Sequence, residues 1–246
     1  MERKSFLKSL SIFAASTPFV LSGCSKSDAI SSTTDSTTDS TTTSSTEDTT
    51  CTVTPTETEG PFPTKSPSSY VRSDITKGDG VGASMSIKII ITNTNDSCNV
   101  LEGAIVDIWH CDVNGDYSEY GGTTMQTNNY QSYHWLRGRQ TTDSTGVVSF
   151  TSIFPGWYES RATHVHVHVY NSSGKSLLVT QIAFSDDLCI SVNTNGSSYG
   201  YTKGTSGYTK NASDNVFSDS VTYEIATVTG SLSAGFSMTK TINVSA

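Results

Sequence analysis

"THVHVHVYNSSGKSLLVTQIAF", residues 163–184, is the stretch whose reading decides the fold. Histidine and valine alternate from His164 to Val169. On an extended chain this puts Val165, Val167 and Val169 on one face and His164, His166 and His168 on the other. Residues 171–175, Asn-Ser-Ser-Gly-Lys, are turn formers, and Ser176–Phe184 is again β-branched and apolar. The stretch therefore predicts a β-hairpin with one apolar face.

The same texture continues outward. "MSIKIIITNT" (85–94), "AIVDIWHCD" (104–112), "GVVSFTSIF" (146–154), "VTYEIATVTG" (221–230) and "GFSMTKTINV" (235–244) read as strands bounded by turn residues. No long amphipathic helical segment occurs, and "SDDLC" (185–189) has room for one short turn. Ser191–Asn215, rich in Gly, Ser, Thr, Asn and Tyr, reads as a long surface loop. Short strands joined by polar turns, without helices between them, point to an all-β fold, a sandwich or a barrel. We expect an antiparallel β-sandwich of short strands with long loops.

The first fifty residues differ in kind. Arg3, Lys4 and Lys8 precede an apolar run that ends at Leu21-Ser22-Gly23-Cys24, the pattern of a secretory signal peptide. The run is too short, and too broken by Ser and Pro18, for a spanning helix. Its last four residues resemble a bacterial lipobox. That resemblance implies cleavage before Cys24, lipidation of its thiol and attachment to the cell envelope, with Ser25 favouring the outer membrane. A plain signal peptide with a coincidental cysteine is the alternative. Residues 24–50 are then a Ser/Thr/Asp-rich tether, too poor in apolar surface to offset the entropy of ordering. The domain proper is expected over 51–246.

The net charge is −8 and no basic residues cluster, which argues against a nucleic-acid partner. Cys51, Cys98, Cys111 and Cys189 are an even number in an exported chain, so two disulfides are expected. Spacing leaves three pairings open; we favour Cys51–Cys98 with Cys111–Cys189. No CxxC occurs, which argues against a zinc–cysteine site.

Same-face neighbours on a strand lie about 6.5–7 Å apart, so two adjacent imidazoles can share an ion, whereas the outer two are about 13 Å apart. At most two of the three histidines should bind one metal. An isolated HxH is more often the solvated face of a strand than a metal site.

The flanks change this balance. "TETEGPFP" (56–63), "VDIWHCDVNGDYSEY" (106–120), "WLRGRQTTDSTGVVSF" (135–150) and "PGWYESRATHVH" (155–166) together resemble the intradiol ring-cleavage dioxygenases, which include catechol 1,2- and protocatechuate 3,4-dioxygenases. The resemblance spans roughly residues 51–230 and is nearest the secreted, single-domain branch. It implies a non-haem Fe(III) held by Tyr117, Tyr158, His164 and His166, with a bound hydroxide. Arg161 would stabilise charge developing on the ring, and Gln181 would orient Arg161 or an intermediate. It further implies that a catechol displaces Tyr117, which becomes the base for a catechol proton. O2 cleavage between the hydroxylated carbons then gives a cis,cis-muconate-type product. A small aromatic diol and O2 are thus the expected partners, with the membrane reached only through the lipid anchor. The helical dimerisation segment of the cytosolic enzymes is absent, and the link from Tyr158 to Arg161 is short, so their substrate contacts do not carry over.

Anionic phenolates suit hard ferric iron, and coordination would lower the tyrosine pKa values far below about 10. Each residue also has a plainer reading. Any one of eleven tyrosines is more often packing than ligand. Arg161 can be a surface arginine in a turn, and Gln181 a cross-strand polar contact. Asp107 and Asp112 are expected to be structural, His168 to be packing or a neighbour of the ligands, and His110 and His134 to be ordinary surface histidines, lining the substrate pocket being the alternative for either. Two other functions remain in view: a non-catalytic sandwich lipoprotein binding a ligand or surface polymer, and a zinc or copper site using histidines alone. Which catechol would be cleaved is left open, since no basic cluster marks a pocket for a carboxylated ring.

Overall fold

A computed structural model of the protein describes residues 51–246. The expected signal peptide, Cys24 and the tether lie outside the described residues. The elements are β1 (Ser84–Asn93), β2 (Asn99–Val100), β3 (Ile105–Trp109), β4 (Arg137–Thr141), β5 (Val147–Ile153), β6 (His164–Tyr170), β7 (Ser176–Ala183), α1 (Asp186–Asn195), β8 (Thr227–Ser231) and β9 (Gly235–Val244). Among the described residues no helix is long and apolar enough to cross a membrane.

Two sheets form a sandwich. One runs β2-β1-β9-β8, with β5 also paired to β1, and the other runs β4-β3-β6-β7. Alternation explains their packing. Met85, Ile87, Ile89 and Ile91 of β1 turn inward with Val148 and Phe150 of β5. They join Val106 and Ile108 of β3 and Val165, Val167 and Val169 of β6 in a single core cluster. Burying each of these side chains is worth about 1.5–3 kcal/mol, so a one-residue slip of any strand would expose its whole inward set.

The β6–β7 hairpin forms as the sequence predicts, closing at Asn171–Lys175, where Asn171 Oδ1 accepts from the N–H groups of Ser173 and Lys175. Two features depart from expectation. The sandwich is antiparallel except for β1 and β9, which pair in parallel over nine residues, Met85–Phe236 to Asn93–Val244. That pairing joins the two ends of the domain, so no hairpin signal announces it. Residues 186–195, read partly as a turn and partly as loop, form α1. Its N-terminus is capped by Ser185 Oγ, which accepts from the Leu188 N–H, with Asp186 and Asp187 in the first turn. Only Cys189, Val192 and Asn193 of α1 are buried, too narrow an apolar stripe to register as an amphipathic helix.

Cys51 and Cys98 form the expected disulfide. The second expected bridge does not form: Cys111 and Cys189 are both free and buried. Cys111 packs with Phe62, Trp109 and Tyr117, while Cys189, on α1, belongs to the main core. Apolar burial pushes both thiols up, Cys189 to about 12, which makes them poor nucleophiles.

Candidate metal centre and active site

The centre lies at the end of the β3–β6–β7 sheet where β6 begins. His164 and His166 share one face of β6, both fully buried, and their Nε2 atoms are 3.0 Å apart. Trp109, paired with His166 across β3–β6, lays its ring on that imidazole at 4.8 Å and 4°. His164 is oriented differently: its Nδ1 donates to the Ala162 carbonyl at 2.6 Å, which leaves the Nε2 lone pair facing the cluster.

Two glycine-containing turns bring up the tyrosines. Tyr117 OH lies 3.3 Å and Tyr158 OH 3.5 Å from His164 Nε2. Gly115 has φ +91° and Gly156 abuts residues 112–113. A Cβ at Gly115 would collide with the Trp157 carbonyl oxygen, and one at Gly156 would sit 2.5 Å from the carbonyl oxygens of Asp112 and Val113. Backbone-to-backbone contact between the turns therefore requires glycine in both, and it sets the two phenols side by side. Gln126 clasps Tyr117, accepting from its N–H at 2.7 Å and donating to its carbonyl at 2.8 Å.

All four groups are neutral without a counter-ion. Burial, then the nearby Tyr158, pushes Tyr117 well above its ordinary value. Burial likewise raises Tyr158 to about 12, against the pull of Arg161. Burial, then Arg161, lowers His164 to about 3, and burial with its neighbour His164 holds His166 well down. Two neutral imidazole nitrogens facing each other at 3.0 Å and two buried phenols make a poor set of mutual partners. They are a good donor set for a small cation, since ligands about 2.0–2.1 Å from a metal lie about 3 Å from one another. Among the described residues no three His, Cys, Asp or Glu side chains converge to hold a metal, so an ion here would take phenolate oxygens as well as nitrogens. Anionic oxygen with imidazole suits a hard trivalent ion.

Arg161 is no surface residue. It is 7% exposed, donates from Nε to Asp214 Oδ2 at 2.9 Å and from Nη2 to Gln181 Oε1 at 2.6 Å. Gln181, beside His166 across β6–β7, donates in turn to the Thr58 carbonyl at 2.8 Å, so it orients Arg161. The 57–64 segment crosses the site, and Phe62 stacks on Tyr117 at 4.8 Å.

The remaining candidates fall outside the cluster. His168 faces Glu59 at 3.1 Å, bonds Ser176 Oγ at 2.8 Å and stacks on Tyr170. Asp107 holds Arg139 through two 2.6 Å bonds, and Asp112 accepts from Lys77 and from the N–H groups of its own turn, both structural as expected. His134 is exposed at the edge of a Tyr70–Glu119 cluster. His110 corrects its expectation. It is buried, with Ser152 Oγ at 2.7 Å and the Cys111 carbonyl at 2.8 Å, because β3 ends there and the chain turns inward.

Sequence reading missed Asp214 and Arg137. Buried Arg137 ties the Ser118 carbonyl, the Phe62 carbonyl and Thr64 Oγ1 together, bracing the loop behind Tyr117. Its partners are the carbonyl and hydroxyl groups of residues 62–64 and 118, with the Glu119 carboxylate 3.4 Å from its Nε, and no local sequence pattern announces that meeting.

A family model described as "Dioxygenase" matches residues 59–227. Among solved structures, the chain is similar to an intradiol ring-cleavage dioxygenase from Tetranychus urticae, with 26% identity and a TM-score of 0.68 over 79% of this chain and 95% of that one. The dioxygenase domain of a dioxygenase–carbohydrate-binding protein fusion from Streptomyces sp. SirexAA-E gives 0.55 at 21% identity, over 79% of this chain and 99% of its own. Catechol 1,2-dioxygenase from Pseudomonas arvilla C-1 gives 0.52 at 20%, over 78% and 62%. At these last two identities the likeness is one of fold. No curated protein sequence matches the chain.

Proposed function

The chain belongs to the intradiol ring-cleavage dioxygenases, and from that premise we propose that it is a non-haem Fe(III) enzyme opening a catechol-type ring with O2 to a cis,cis-muconate-type product. The observation that carries this reading is the convergence of Tyr117, Tyr158, His164 and His166 on one point, with oxygens and nitrogens 3.0–3.5 Å from His164 Nε2. Iron bound there by Tyr117, Tyr158, His164 and His166 would supply a Lewis acid that activates the diol toward O2.

The chain's own residues do the rest. Tyr117 and Tyr158 give up their phenolic protons on loading, so iron affinity rises with pH. The Tyr117 oxygen, as phenolate in the loaded protein, would be the base that accepts one proton of the diol. His164 and His166 stay neutral because burial depresses them, which keeps their Nε2 lone pairs open. Arg161, buried and fixed by two partners, offers a permanent positive charge where the ring becomes anionic. Phe62 and Trp109 seal the aromatic wall against water.

The test is the purified protein reconstituted with iron. It should show a visible tyrosinate-to-iron absorption, weakened or lost in Tyr158→Phe, and should consume O2 with catechol, protocatechuate or hydroxyquinol. A colourless protein that retains no iron would sink the proposal. On the same footing we propose that residues 1–23 direct export, that Cys24 carries lipid and that 24–50 tether the 51–246 domain to the bacterial cell envelope. Loss of fatty-acid labelling in Cys24→Ser is the expected result; unchanged labelling would refute it.

A further inference from the structure

We propose that Asp214 is a positioning residue for the ring-cleaving reaction, one carboxylate that aims Arg161 and steadies the start of the strand carrying His164 and His166. The inference rests on the reading of Arg161 as the charge beside the substrate ring.

Asp214 lies in the segment after α1 and is fully buried. Its Oδ2 accepts twice, from Arg161 Nε at 2.9 Å and from the Ala162 N–H at 2.6 Å. Its Oδ1 accepts from the Val216 N–H at 2.7 Å. All three bonds are donated to it, which suits an ionised carboxylate and nothing else of that shape. It is the ion-pair partner of Arg161 among the described residues, since Gln181 on the other arm is uncharged. The Ala162 peptide that Asp214 grips is the one whose carbonyl accepts from His164 Nδ1. Pulling on one carboxylate thus displaces both the guanidinium and the peptide that orients a ligand imidazole. Phe217 completes the mount. Its ring lies 5.8 Å from the Arg161 guanidinium and 6.4 Å from the His164 ring, and it packs with Ala162 and Ala183.

An asparagine has one acceptor oxygen and an NH2 group. It can keep the Arg161 and Ala162 bonds or the Val216 bond, but its NH2 must then face an N–H group. Asp214→Asn should therefore loosen the mount with little change in size. A carboxylate that serves only the fold and one that acts through Arg161 predict different kinetics.

The experiment compares wild type, Asp214→Asn, Arg161→Lys and the double variant as iron-loaded full-length proteins. We expect Asp214→Asn to lower kcat about 30-fold, within the range for small misplacement of a reacting constellation. Its KM should stay within about three-fold and its tyrosinate-to-iron absorption maximum should not move. In the Arg161→Lys background the same change should cost less than about three-fold, because the two residues act as one unit. Equal losses in both backgrounds, or wild-type kcat in Asp214→Asn, would overturn the proposal. Should Asp214→Asn fail to fold, Asp214→Glu, which keeps the charge and displaces it by one methylene, carries the same comparison.

A second readout needs neither iron nor turnover. In the metal-free protein the Arg161 Nε–H signal, assigned by its absence in Arg161→Lys, should be protected from solvent exchange by 15N NMR and lose that protection in Asp214→Asn. An unprotected signal in wild type would overturn the proposal. A protected signal in a protein with neither colour nor activity would instead show that the dioxygenase reading had failed while the Asp214–Arg161 mount stood.

Discussion

The two ends of β6 carry the same residue at the same spacing and put it to opposite uses. At the inner end His164 and His166 are fully buried, and two phenols arrive from glycine turns to meet them. At the outer end His168, two residues on and on the same face, meets Glu59, Ser176 and Tyr170. The strand supplies equivalent positions; what differs is which loops reach over them. Periodicity selects a face, and neighbours from elsewhere in the chain select the chemistry.

The largest expected effect tests that contrast directly. His164→Ala or His166→Ala should retain less than about a tenth of the wild-type iron, since losing even an outer partner of a ligand costs 10–100-fold in affinity. Iron analysis of the purified variants decides it, and an equal loss in His168→Ala would break the comparison.

A second prediction concerns how completely the inner end is sealed. His110, at the end of β3, is pushed down to about 4, chiefly by burial. Its folded value lies below the unfolded value of about 6.5, so the unfolded chain binds the proton first. Stability from keeping it neutral is present above about pH 6.5 and is lost as pH falls toward 4, by about 3 kcal/mol in all. Urea melts of the metal-free protein should show that slope, and His110→Gln should flatten it. An unchanged slope would mean the inner end admits water.

The valine face should be indifferent to the difference between the ends. Val165, Val167 and Val169 are all fully buried in one core, so each change to Ala should cost about 2 kcal/mol by the usual value per buried methylene. Iron content should not change in any of the three. A cost confined to Val165 would tie the core to the site more closely than the packing indicates.

The smallest effect belongs to His168→Ala. Near-normal iron content and a stability change below about 1 kcal/mol are expected, as for other partly exposed ion pairs. Thermal melting with and without iron checks both.

Much of the β architecture was legible because alternation and turn chemistry are local. The hairpin from His164 to Ala183 and the inward sets of β1 and β5 follow from residues within a few positions of each other. The parallel β1–β9 pairing was not legible, because its strands lie about 150 residues apart and no connection encodes their register. Helix α1 escaped because its buried stripe holds only two apolar residues, Cys189 and Val192, beside the polar Asn193. The Cys111–Cys189 expectation failed because an even count of cysteines says nothing about which thiols are neighbours, and each of these found its own apolar pocket. His110 read as a surface residue because alternation assigns it a face, whereas the chain turns inward directly after it.

By itself the sequence determined the sheet character of the domain and the apolar faces of β1, β5 and β6, which short-range pattern carries. The four proposed donors were implied by the resemblance to the intradiol dioxygenases, not by periodicity or spacing. Tertiary structure alone decided that Tyr117 and Tyr158 meet His164 and His166 and that His168 stands apart. It also decided that Arg161 is held by Gln181 and Asp214. Those facts depend on loops that pack backbone against backbone and on hydrogen bonds to carbonyl and N–H groups, which every residue possesses and no side-chain pattern can announce.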